Sequence, residues 1–129
     1  MTLSLVYKIF GVINLIFALI FGLASGMLSE TSGWGEATIG ITTMSEHHGS
    51  VLLVLGVIFW MLPSWTSEEQ LKKATMTMIV LQVFLFLVPI YHVGVGAIPQ
   101  DAFFYIFSIL HLALIGLLYW KSRKKTFYY

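Results

Sequence analysis

The sequence predicts an all-α protein, a bundle of four transmembrane helices with both termini cytoplasmic, and three observations carry that expectation. Of its 129 residues 58% are hydrophobic and 10% are charged, and the mean hydropathy is +0.88; a soluble domain carries charge on about a quarter of its residues. The apolar residues fall in long blocks rather than at helical spacing, so lipid is the expected solvent for most of the surface. Once four spans are drawn, Lys8, Lys72, Lys73, Lys121, Arg123, Lys124 and Lys125 all fall on one side, which the positive-inside rule makes cytoplasmic. The expectation is one membrane domain over 1–129, with spans at about 3–27, 47–64, 72–93 and 101–120, inserted in the cell (plasma) membrane.

Within the first span only Lys8 and Asn14 interrupt the apolar run. Lys8, this block and "ASG" at 24–26 also loosely resemble a signal peptide with its cleavage site; a retained helix is the preferred reading. The segment "SETSGWGEATIGITTMSEH" is polar and glycine-bearing, with Glu30, Glu36 and Glu46 and no basic residue. The second block, 49–62, is short, and His47, His48 and Trp65 extend it through the interfaces, with Pro63 marking its end. "TSEEQLKK" reads as a tight charged turn. In the third block Pro89 frees the carbonyl of Leu85 and is expected to kink the helix; "GVGAIPQD" then leads to the fourth. "LLVLGVIFW" (52–60) echoes "LALIGLLYW" (112–120), with Gly56 matching Gly116. Chance likeness of apolar helices ending in aromatics is preferred to a duplicated hairpin, because the first and third spans do not align at the same offset.

Polar side chains inside the spans carry the functional information, since a helix satisfies its own backbone in hydrocarbon. A rise of about 1.5 Å per residue places Gln82 and His111 near the mid-plane, an expensive depth at which each needs a partner. They sit at matching depth on consecutive antiparallel helices, so a Gln82–His111 hydrogen bond is expected, with Ser108 one turn away and Asn14 nearer the cytoplasmic side. His111 has several readings: a haem or metal ligand, a proton relay, a hydrogen-bond donor to a quinone-like or lipidic head group, or a neutral histidine joining two helices. The last is the preferred one.

At the outer rim, "SEHHGS" puts His47, His48 and Glu46 against an apolar run, with His92 on the same side of the membrane. Imidazole with carboxylate or thioether suits copper or zinc, which makes Glu46, His47, His48 and His92 the candidate metal ligands, with Met44 or Asp101 as further donors. Adjacent helical residues point about 100° apart, none of the strong ligand spacings is present, and a polar lip that anchors the helix is the preferred reading. The absence of cysteine excludes disulfides, thiol redox chemistry and thiolate metal sites.

Ala18, Gly22 and Gly26 form a small-xxx-small ridge on the first span, suited either to internal packing or to another subunit. The aromatics read as belts: Trp34 outside, Trp60, Trp65, Trp120, Tyr7 and Tyr119 at the cytoplasmic interface, Tyr91 and Tyr105 at the outer one. A basic tail, "KSRKKTFYY", suits anionic lipid at about 1 kcal/mol per charge, and nothing else in the chain points to nucleic acid.

The long first helix with its glycine ridge, the polar outer loop, "EHHGSVLLVLGV", the charged cytoplasmic segment, "YHVGVG" and "ILHLALIGLLYW" together resemble the layout of the DoxX-like small four-helix membrane proteins. The resemblance implies a four-helix bundle, sometimes an accessory to redox membrane enzymes. Members of that group tend to carry Arg and Glu where this chain has His92 and His111, so a ligand role for these histidines is not part of what it implies.

With no HExxH, serine elbow or Walker loop, no catalytic activity of its own is expected. The leading expectation is a non-catalytic accessory or structural subunit of a larger membrane complex, a redox or copper enzyme among the candidates, with other membrane subunits or further copies of the chain as partners. The alternative is a ligand or redox module that binds a quinone or lipid near His111, or a metal near His47, His48 and His92.

Overall fold

The computed structural model describes residues 1–31, 35–97 and 100–123, apart from the Phe103 side chain; Trp34 and the tail beyond Arg123 lie outside the described residues. These fold as α1 (Leu3–Leu23), α2 (Ser25–Thr31), α3 (Ile39–Trp65), α4 (Glu68–Gly94) and α5 (Ala102–Arg123), with no strand among them. All but α2 are long and apolar enough to cross a membrane. The chain thus has the helices of a small integral membrane protein.

Helix ends depart from the sequence-based spans for local reasons. The first helix stops at Leu23 rather than at residue 27, because Ala24 leaves helical geometry at φ −117° and ψ 26°. Gly22, Ser25 and Gly26 around it are weak helix formers, and the chain restarts as the short α2. The polar segment before His47 is helical from Ile39, where the Thr38 hydroxyl accepts the Ile41 N–H at 3.3 Å as an N-cap. Pro63 lies inside α3, one turn before its end at Trp65, instead of marking that end.

In "TSEEQLKK" the turn is confined to Thr66 and Ser67, and the rest is helix. Ser67 and Gln70 form a capping box, the Ser67 N–H donating to Gln70 Oε1 at 2.9 Å and the Gln70 N–H to Ser67 Oγ at 3.3 Å, so α4 starts at Glu68. Glu68 and Glu69 then pair with Lys72 and Lys73 one turn on, at 3.3 and 3.1 Å. At its far end α4 continues through Pro89 to Gly94 and closes as a Schellman motif: Gly96 takes φ +73°, its N–H donates to the Val93 carbonyl, and the Ala97 N–H donates to the His92 carbonyl at 2.8 Å. Asp101 caps α5 by accepting the Phe104 N–H at 2.8 Å.

Packing is uneven. The tightest pair is α1 with α3, the second is α4 with α5, and α1 touches all the other helices, whereas α3 and α5 do not meet. The hydrophobic core lies toward the end of the bundle that holds the N-terminus, where Leu3, Val6, Tyr7 and Phe10 of α1 meet Phe59 of α3, Leu71 of α4, and Leu114 and Leu118 of α5. Phe59 lies against both Tyr7 and Phe10, with ring centroids 6.1 and 5.7 Å apart. Tyr7 is 1% exposed and Thr75 fully buried, and their hydroxyls are 2.9 Å apart. Thr75 donates its single proton to the Leu71 carbonyl at 2.6 Å, so Tyr7 is the donor to Thr75, a hydroxyl chain that fixes α1 to α4.

Glycine sets the α1–α3 distance. A Cβ at Gly11 would lie 2.9 Å from both the Gly56 carbonyl oxygen and the Trp60 backbone nitrogen, and one at Gly49 would lie 2.9 Å from the Gly22 nitrogen and 3.0 Å from the Ala18 carbonyl oxygen. These neighbours are backbone and cannot rotate away. A Cβ at Gly22 would instead meet nothing within 4 Å. Gly11→Ala and Gly49→Ala are therefore expected each to destabilise the protein by about 1–3 kcal/mol, read as a lowered thermal midpoint in mild detergent, while Gly22→Ala keeps or raises the midpoint; equal behaviour of all three would mean that this seam does not set the fold.

Candidate functional site

Halfway along α4 and α5, His111 Nε2 lies 3.1 Å from the backbone carbonyl oxygen of Gln82. A carbonyl only accepts, so Nε2 carries the proton and Nδ1 of the neutral ring is an acceptor. The bond expected between two side chains thus runs from a side chain to the backbone. Phe86, one turn on from Gln82, lies beside the imidazole with centroids 5.6 Å apart and the rings tilted by 31°. Gln82 itself is buried, on the face of α4 that also carries Leu71 and Thr75.

The other two polar residues expected in this network stand apart from it. Asn14 donates through Nδ2 to the Phe10 carbonyl at 2.8 Å, one turn back on its own helix. Ser108 is half-buried, and no hydrogen bond joins it to His111 among the described residues. One turn of helix separates them, but only His111 is long enough to reach across to α4.

At the opposite rim the histidines do not converge. His47 and His48 are exposed on α3, and His48 stands edge-on to Phe21 of α1 at 4.9 Å. His92, on α4, lies against its neighbour Tyr91 at 5.7 Å. Glu46 is exposed, and Asp101 caps α5. Among the described residues no group of three or more His, Asp or Glu side chains is placed to hold a metal ion. The candidate copper or zinc set of Glu46, His47, His48 and His92 is therefore not brought together: the adjacent histidines diverge by about 100°, and α3 and α4 make the weakest of the helix contacts.

The small-residue ridge divides. Ala18 is buried and Gly22 meets the backbone at Gly49, so both belong to internal packing, while Gly26 lies in α2 and a Cβ there would touch only Ala37, at 3.8 Å. Sequence reasoning missed the partner glycines on α3. Their seven-residue separation, Gly49 to Gly56, matches Gly11 to Ala18 and was the available signal. Another buried contact, Ser45 Oγ donating to the Phe21 carbonyl at 3.0 Å, satisfies one of the carbonyls left open where α1 ends.

The four long apolar helices fit a small all-α membrane protein, and two of them carry a polar pair near their middles. No family model matches the chain, and neither a curated protein nor a solved structure does. Because the rim histidines are dispersed, protein equilibrated with zinc or copper and freed of excess ion is expected to retain far less than one equivalent of either by elemental analysis. A stoichiometric ion that is lost in His48→Ala would contradict the geometry.

Proposed function

We propose that this protein is a non-catalytic accessory subunit of a larger membrane assembly, held in the cell membrane with both termini in the cytoplasm. The observation that carries this reading is Gly116. In α5, Ala113 and Gly116 are exposed, and a Cβ at Gly116 would meet nothing within 4 Å. Gly56, its counterpart in the echoed segment of α3, is filled by Leu15 at 2.8 Å. A glycine in mid-helix costs about 1 kcal/mol relative to alanine, and in lipid small residues favour close approach of another helix. The groove at Gly116 supports a partner there, either another subunit or a second copy of the chain.

Internal packing points the same way. In the most apolar stretch of each helix, 33% of α1 is buried within the protein but only 17% of α3, 11% of α4 and 17% of α5. The four-helix layout and its resemblance to the DoxX-like proteins, some of them accessory to redox enzymes, fit the same role.

Native membranes solubilised in mild detergent are expected to release the protein in a complex of defined stoichiometry, and Gly116→Leu is expected to weaken that complex at least tenfold without lowering the thermal midpoint of the isolated chain. A monodisperse monomer that co-purifies with nothing would refute the subunit reading. Orientation has its own test, since the chain contains no cysteine and single ones can be introduced. A membrane-impermeant maleimide added to intact cells is expected to label Glu36→Cys and Gln100→Cys, and to label Glu69→Cys and Arg123→Cys only after permeabilisation; the reverse pattern would invert the topology.

A further inference from the structure

We propose that the Gln82–His111 pair binds a lipid-soluble molecule with a hydroxyl head, held at mid-membrane depth between α4 and α5. The proposal goes beyond the subunit reading and stands whether or not a partner is found.

It starts from the Gln82 side chain. The residue is 7% exposed, and its amide makes no hydrogen bond with any described residue, since the one bond formed at this position uses the backbone carbonyl. Yet no side-chain nitrogen or oxygen that is fully enclosed lacks a partner. The small accessible area of Gln82 therefore takes in both polar atoms of its amide, and is the opening through which they can be reached.

Position in the helix makes that opening costly. Gln82 lies near the middle of α4 (Glu68–Gly94) and His111 near the middle of α5 (Ala102–Arg123). At about 1.5 Å per residue both are roughly 13 Å or more from the helix ends, within the hydrocarbon. A carboxamide there without a partner costs several kcal/mol. Phospholipid head groups stay at the interface and do not reach this depth. A second transmembrane helix is too broad for an opening that exposes so little of the residue. A slender apolar molecule with a small polar head can satisfy both limits.

The hydrogen-bonding inventory selects the head. The amide supplies N–H donors and one carbonyl acceptor, and His111 Nδ1 is a further acceptor because Nε2 donates to the Gln82 backbone. A ketone accepts only and leaves both acceptors unmatched. A hydroxyl accepts from the amide N–H and donates to one of the acceptors. Phe86, tilted beside the imidazole, adds an apolar wall. Two sources share this chemistry, an aromatic quinol and an aliphatic long-chain alcohol.

The test uses the full-length protein in phosphatidylcholine nanodiscs, with thermal midpoint and native mass spectrometry as readouts. A decyl-substituted benzoquinol, the matching benzoquinone and hexadecanol are the probes. A raised midpoint and a bound mass are expected with a hydroxyl probe, with the quinone at least fivefold weaker. Response to the quinol alone would assign the aromatic source, and equal response to hexadecanol the aliphatic one. Gln82→Leu is expected to abolish the response while leaving the ligand-free midpoint equal to or above that of the wild type, because it removes an unpartnered amide. A ligand-free Gln82→Leu that is clearly less stable would show that the amide serves the fold, and a wild type indifferent to both hydroxyl probes would exclude the site; either result overturns the proposal.

Discussion

The contact on which the rest of the structure depends is the close crossing of α1 and α3. In a bilayer the tails compete for apolar side chains as well as another helix does, so helix pairs are held by fitted surfaces and hydrogen bonds rather than by exclusion of water. Gly11, Gly49 and Gly56 remove the side chains that would keep the two backbones apart, and each faces atoms about 3 Å from where its Cβ would stand. The antiparallel register follows from the same residues: Gly11 opposite Gly56 places Ala18 and Gly22 opposite Gly49, and Phe21 opposite Ser45. With one face of α1 committed in this way, its other faces are left to receive α4 and α5.

Several polar side chains within the protein donate to a backbone carbonyl within reach. Ser45 donates to Phe21 across the α1–α3 seam, Thr75 to Leu71 and Asn14 to Phe10 along their own helices, and His111 to Gln82 across the α4–α5 pair. Two of these tie separate helices together, one at the end of the glycine seam and one between α4 and α5. Tyr7 supplies a third tie by donating to Thr75, whose own proton is already engaged. Such bonds average about 0.6 kcal/mol each in membranes. Their value lies in fixing which helix faces which, while dispersion over the glycine seam and the aromatic contacts around Phe59 supplies the bulk of the attraction.

Much of this architecture was legible in the sequence, because hydrocarbon thickness demands long apolar blocks and those blocks are plain in the chain. The four spanning helices and the proximity of Gln82 to His111 follow from block length and from counting residues along antiparallel helices. What was not legible depended on local chemistry or on partners in space. The break at Ala24 lies inside a run that hydropathy reads as continuous, and hydropathy does not register a cluster of poor helix formers. "TSEEQLKK" looked like a turn because its charges are dense, although Ser67 and Gln70 spell a capping box and the Glu–Lys spacing of four residues belongs to a helix. Rim histidines suggested a metal because residue type is visible and direction is not: whether His92 approaches His48 depends on the α3–α4 contact, which no single-chain pattern encodes. The glycines of α3 were visible, but their role required knowing which helix lay opposite.

The division between a tight pair and a loose pair bears on function. Core packing and the glycine seam fix α1 against α3, so these helices form a stable frame. By contrast α4 and α5 touch the frame mainly through Leu71, Thr75, Leu114 and Leu118 near one end, with Phe17 against Phe107 at 4.7 Å farther along. The open groove at Gly116 and the accessible amide of Gln82 both belong to this second pair. Regions with few buried contacts open at lower free energy than the cores they lean on. A helix pair anchored at one end can separate at the other without disturbing the α1–α3 seam.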